Sequence, residues 1–134
     1  MQFAIDPMIA SADRDGLAKA DLCRQLNDSF RLTLLGGNVV LSQSVAGLPL
    51  NRQAEVVLAV RGFDNFSAEN DPYEEHDFGA VVCRGERYFW KIDYYDLDLT
   101  YASPDPSDPA FTIRVLTIMR WLDPIRWSGF DLNA

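Results

Sequence analysis

The text from Phe78 to Tyr94 most constrains the fold. Phe78 to Cys83 and Arg87 to Tyr94 are rich in aromatic and β-branched residues, and only Arg84-Gly85-Glu86 separates them. A connection this short and containing a glycine joins antiparallel strands into a hairpin. In the second strand Tyr88, Trp90, Ile92 and Tyr94 point one way, while Phe89, Lys91, Asp93 and Tyr95 point the other. A sheet built from such strands needs a layer packed on one face, which the rest of the chain must supply.

Helical periodicity supplies it. Between Ser11 and about Leu35, the residues Ala18, Leu22, Leu26, Phe30 and Leu34 recur every four positions, with Arg14, Lys19, Arg24 and Arg31 off the stripe. This predicts an amphipathic helix stopped by Gly36-Gly37. Asn38 to Val45 is β-branched and too short for a helix, which predicts a first strand. Leu48-Pro49 then leads into a second helix, roughly Asn51 to Phe63.

Residues 64–77 hold turn formers and acids without a usable period, and read as a long acidic loop. Loops of that length in a compact domain tend to be functional or mobile. After the hairpin the apolar phase shifts, so a turn or bulge is expected near Tyr95 to Asp98, with a further strand over Leu99 to Ser103. Asp108 before Pro109 is the pairing that starts helices, and a buried helix is expected from Pro109 to about Leu122. The tail keeps Trp127 and Phe130, which suggests docking against the body. The expected whole is one α+β domain over residues 1–134, with 1–10 a flexible start. An antiparallel sheet of three to four strands would carry about three helices on one face.

Charge narrows the function. The chain has 134 residues and a formal net charge of −8. Residues 64–108 hold twelve acids against three bases, Arg84, Arg87 and Lys91, so the whole excess lies there. A protein that binds nucleic acid or an anionic membrane electrostatically needs the opposite balance. No apolar run approaches the roughly eighteen residues of a membrane span, and Met1 to Ala10, without a basic region, predicts no secretory signal. Cys23 and Cys83 read as small buried hydrophobes in a reducing cytoplasm. Gly-rich phosphate loop, Gly-x-Ser-x-Gly elbow and Cys-x-x-Cys pair are all missing.

Three readings of the acids compete. The simplest is solvation and turn capping. The second is a cation or catalytic site around Asp71, Glu74, Glu75, His76 and Asp77, with Asp93, Asp96 and Asp98 brought near by the hairpin. Glu74, His76 and Asp77 would be the metal ligands, and His76, Glu75 and Lys91 the catalytic groups. A His beside carboxylates can ligate a metal or act as a base. The spacing fits no EF-hand, however, and His76 is the sole histidine, so zinc is poorly supported. The third is an acidic recognition face: Asp96 and Asp98, if extended, would stand roughly 6.6 Å apart, like successive phosphates, with Tyr73, Tyr94, Tyr95 and Tyr101 interleaved as contact anchors. Ordinary sheet packing accounts equally well for Tyr94 and Tyr101.

Three segments carry a resemblance: Asn70-Asp71-Pro72-Tyr73-Glu74-Glu75-His76-Asp77-Phe78-Gly79, Phe89-Trp90-Lys91-Ile92-Asp93-Tyr94-Tyr95-Asp96 and Ser103-Pro104-Asp105-Pro106-Ser107-Asp108-Pro109. In this order, from about Leu26 to about Met119, the chain resembles a domain-of-unknown-function family of alphaproteobacterial chromosomes and plasmids. The resemblance implies no particular reaction. Its plasmid setting, where anti-restriction genes are frequent neighbours, favours the acidic-mimic idea by analogy.

The expectation is therefore a cytoplasmic interaction protein without enzymatic activity or cofactor. Its partner would be a protein with a basic surface, such as a nucleic-acid enzyme, with no direct contact to nucleic acid or membrane. Its contact residues would be Asp71, Tyr73, Glu74, Glu75, His76, Asp77, Asp93, Tyr95, Asp96 and Asp98. The alternative is a metal-dependent hydrolase or nuclease at Glu74 to Asp77.

Overall fold

The computed structural model describes residues 18–121. The expectations for residues 1–17 and for the tail from 122 onward lie outside them. Helix α1 spans Lys19–Thr33 and ends not on a glycine but on Leu34, whose φ of 61° is left-handed and whose N–H donates to Phe30 O. Strand β1 is Gly37–Leu41, and the expected extension to Val45 is instead a single helical turn, α2 (Gln43–Ala46). That turn sinks Val45 into the core. Helix α3 is Leu50–Arg61, close to its expected position.

Residues 64–77 are irregular, as expected, and form a strap that leads into β2 (Phe78–Cys83). Arg84 and Gly85 both have positive φ, 52° and 78°, the geometry of a two-residue hairpin turn whose twist matches the strands it joins. Strand β3 is Glu86–Tyr95. Residues 99–103 do not form a strand. They fold back on β3 through one bridge, Tyr95 to Ala102.

The helix expected from Pro109 is corrected. Asp108 does cap, its carboxylate accepting from Ala110 N at 2.9 Å, but only a single 3-10 turn over Pro109–Phe111 follows. From Ile113 to Arg120 the chain is β4, with Arg114, Leu116 and Ile118 facing inward on alternate positions. Both faces of this inner strand are largely apolar, which hides the two-residue period that would identify it.

The sheet order is β1-β4-β3-β2. The β2–β3 and β3–β4 pairs are antiparallel, and β1 runs parallel to β4, so the sheet is mixed and not purely antiparallel. The three helices lie on one face. Phe30, Val45, Val56 and Val60 pack there against Val81, Tyr88, Trp90, Ile92, Leu116 and Ile118. Trp90 needs a glycine opposite it: a Cβ on its cross-strand partner Gly79 would stand 2.5 Å from the indole nitrogen. On the other face Phe89 is buried among Phe78, Met119 and Trp121. The fold is α+β in a single domain.

Candidate functional site

The i, i+4 repeat of a helix sets Cys23, Asn27 and Arg31 in one row of α1, with Arg24 and Asp28 in the row beside it. These residues grip the strap. Arg24 Nη1 donates to Glu74 O at 2.9 Å, and Asn27 Nδ2 donates to Glu75 O at 3.0 Å. Asn27, wholly buried, also donates to Tyr94 Oη at 2.8 Å, and that hydroxyl donates to Glu75 Oε1 at 2.8 Å. Arg114, from β4, closes the set. Its Nε donates to Asn27 Oδ1 at 2.7 Å and its Nη2 to Pro106 O at 2.5 Å, while its guanidinium lies 5.1 Å over the Tyr94 ring. Burial pushes the Tyr94 hydroxyl and the Cys23 thiol above their ordinary pKa values, so both stay protonated donors.

His76 fastens the strap one turn farther along α1. Its Nδ1 is 2.9 and 3.1 Å from the two Asp28 oxygens, and its Nε2 is 3.5 Å from Asp71 Oδ2. Its backbone N–H donates to Asp71 Oδ1 at 3.0 Å, and the ring stacks on Phe66 at 3.7 Å, nearly parallel. Behind Phe66, the Arg31 guanidinium sits 5.3 Å from that ring and 5.1 Å from Trp90, and pairs with Asp28 at 3.2 Å. Glu74 and His76 both adopt φ of 56°. Left-handed backbone at non-glycine residues is disfavoured, and here the surrounding bonds hold it in place.

Asp77 follows directly. Burial, then the nearby carboxylates of Glu75, Asp71 and Asp93, push its pKa up to about 6.

Between the strap and α1 lies a cavity of about 460 Å³, lined in part by Asp21, Arg24, Phe66, Asp71, Glu74 and His76. Its volume suits a small molecule.

The residues singled out in the sequence therefore separate. Asp71, Glu75 and His76 come together, but as fasteners of the strap. Glu74 lines the cavity, whereas Asp77 does not. Among the described residues no three His, Cys, Asp or Glu side chains are placed to hold one metal ion, so Glu74, His76 and Asp77 do not form a ligand set. Lys91 pairs with Asp93 at 2.6 Å, and by strand alternation both point away from the face that bears Tyr94 and Glu75, so His76, Glu75 and Lys91 do not converge. Tyr73 is 78% exposed, and Tyr95 is half-buried opposite Ile113. Asp96 and Asp98 do not form an extended row: residues 96–100 turn, with Leu99 N donating to Asp96 O and Thr100 N to Asp96 Oδ1.

Sequence reasoning missed Cys23, Asn27, Asp28, Arg31 and Arg114. The first four reach the strap across about fifty residues or fewer of chain, and Arg114 approaches from the far side of the sequence. The one available signal was the Cys23-Asn27-Arg31 spacing beside the apolar stripe.

No helix among the described residues is long and apolar enough to cross a membrane. No curated protein and no solved structure matches the chain. Residues 41–122, which carry the strap and the β2–β4 sheet, match a family model, and the chain accordingly belongs to DUF3768, a family of proteins of unknown function.

Proposed function

We propose that the protein works by contact and not by catalysis, presenting the outer side of its strap to a basic surface on another protein. The specific target is the nucleic-acid groove of an enzyme, and the setting an accessory or anti-defence role for a mobile element. The observation that carries this reading is the division along residues 71–77. His76 is turned inward onto Asp28 of α1, Asp71 onto His76 and Glu75 onto Tyr94, while Tyr73 and Glu74 are exposed. Asp64 and Glu69 add exposed carboxylates to the same segment. An aromatic anchor among acids suits a basic partner, and such contacts weaken with salt.

The test is capture from the native host with wild type and with Tyr73→Ala/Glu74→Gln as bait, at low and high salt. A protein held by wild type at low salt, and lost from the variant, supports the reading. Equal retention by both baits contradicts it.

A further inference from the structure

The connection from β3 to β4 carries a feature the fold does not use. Asp96 N donates to Tyr101 O and Ser103 N to Tyr94 O, so residues 96–102 form a narrow tip beyond the end of β3. On it Leu97 is 57% exposed, Leu99 49% and Tyr101 73%. Leu99 also holds a φ of 57°, a conformation that glycine or asparagine takes more easily. Leucine there is unfavourable for the fold and leaves its side chain in water. Within the tip the acids are Asp96, which accepts from Thr100 N, and exposed Asp98, and there is no base. The tip is thus apolar with an acidic rim.

The opposite end of the sheet is its complement. At the β2–β3 turn a cavity of about 290 Å³ is lined by Gly85, Glu86, Arg87, Arg120 and Trp121. The Arg87 guanidinium lies 5.1 Å over the Trp121 ring, which is 44% exposed; Arg84 at the same turn is paired with Glu55 at 3.0 Å and Arg120 with Glu86, so Arg87 carries the positive charge of the cavity. The volume is at the lower bound of small-molecule pockets, about 300 Å³, and is of the order of one or two large side chains. Strand β3, ten residues long, separates the two features by about 30 Å. A molecule therefore cannot seat its own tip in its own cavity.

We propose that the 97–101 tip of one copy seats in the Arg87–Trp121 cavity of a second copy, joining molecules head to tail. The leucines cover the indole, and Asp98 meets Arg87. Two different patches take part, so the contact is heterologous and continues into chains or closes into a ring. It leaves the outer side of the strap uncovered and so stands independently of the partner proposed above.

Sedimentation velocity over a concentration series tests it, with Asp98→Arg and Arg87→Glu measured singly and as an equimolar mixture. Wild type should show concentration-dependent association that weakens with salt. Each variant alone places like charges in the contact and should raise the dissociation constant about tenfold or more. The mixture pairs a basic tip with an acidic cavity, and an acidic tip with a basic cavity, so association should return. Leu99→Asn relieves the backbone, should fold at least as well as wild type by circular dichroism, and should not associate. Wild type that stays monomeric up to its solubility limit overturns the proposal. So does association that persists in either single variant or in Leu99→Asn, or a mixture that fails to recover it.

Discussion

The strap (64–77) and the β3–β4 connection (96–112) are both long, acidic and irregular, yet different forces hold them. The strap is fastened by side chains far away in the sequence: Arg24, Asn27 and Asp28 of α1, and Tyr94 of β3. The connection is held mainly by its neighbours. Asp96 caps Thr100 N, Asp105 accepts from Ser107 Oγ at 2.5 Å, and Thr112 Oγ1 donates to Asp105 O at 2.8 Å. Local bonds shape a loop without covering its apolar side chains, whereas long-range bonds draw polar groups inward and leave fewer for solvent. Acid content alone therefore does not reveal which acids are available for recognition.

Arg114 joins the two regions, since it donates both to Asn27 and to Pro106 O, and its removal is the largest expected loss. Arg114→Met leaves those buried acceptors without their charged donor and should cost about 3 kcal/mol. Chemical denaturation measures the loss. A cost below about 0.5 kcal/mol, in the range of ordinary surface substitutions, would mean that the strap and the connection are not joined through this residue.

Asp77 sharpens the comparison through pH. Because the folded state raises its pKa from 3.8 to about 6, its carboxyl favours folding fully below pH 3.8. That contribution is lost as pH rises through about 6, where the buried group must ionise among other carboxylates. Asp77→Asn should therefore melt higher than wild type at pH 8, and the two should converge near pH 4. Parallel pH profiles would show that the carboxyl is not held in the environment described.

The smallest effect belongs to the connection. Asp108 caps one 3-10 turn and not a long helix, so Asp108→Ala should cost about 0.5 kcal/mol, the low end for a cap, and Asp108→Asn less. Equal losses would indicate a role for the charge itself.

What was legible followed from local physics. The alternation of Tyr88, Trp90, Ile92 and Tyr94 against Phe89, Lys91, Asp93 and Tyr95 is the alternation of β3, and the stripe ending at Phe30 and Leu34 marks α1. Asp108-Pro109 was a true cap signal that says nothing of how far a helix continues. Beyond it Thr112, Ile113, Val115, Thr117 and Ile118 are β-branched, and sheet pairing with β1 and β3 decides the outcome. The site was half visible. Glu75, His76 and Asp77 stand out as a cluster, but Asn27 and Asp28, which hold Glu75 and His76, lie on α1, and a buried Asn reads as an ordinary polar residue until the fold encloses it.

The central claim is that His76 and its carboxylates fasten the strap to α1. Amide hydrogen exchange across residues 71–77, compared between wild type and His76→Gln, tests it most directly. In wild type the N–H groups of Asp71 and His76, bonded to Ser67 O and Asp71 Oδ1, should be protected. In the variant that protection should fall about tenfold or more, by local opening, while β3 and β4 exchange as before. Strap amides that exchange freely in wild type, or that keep full protection in the variant, would contradict it.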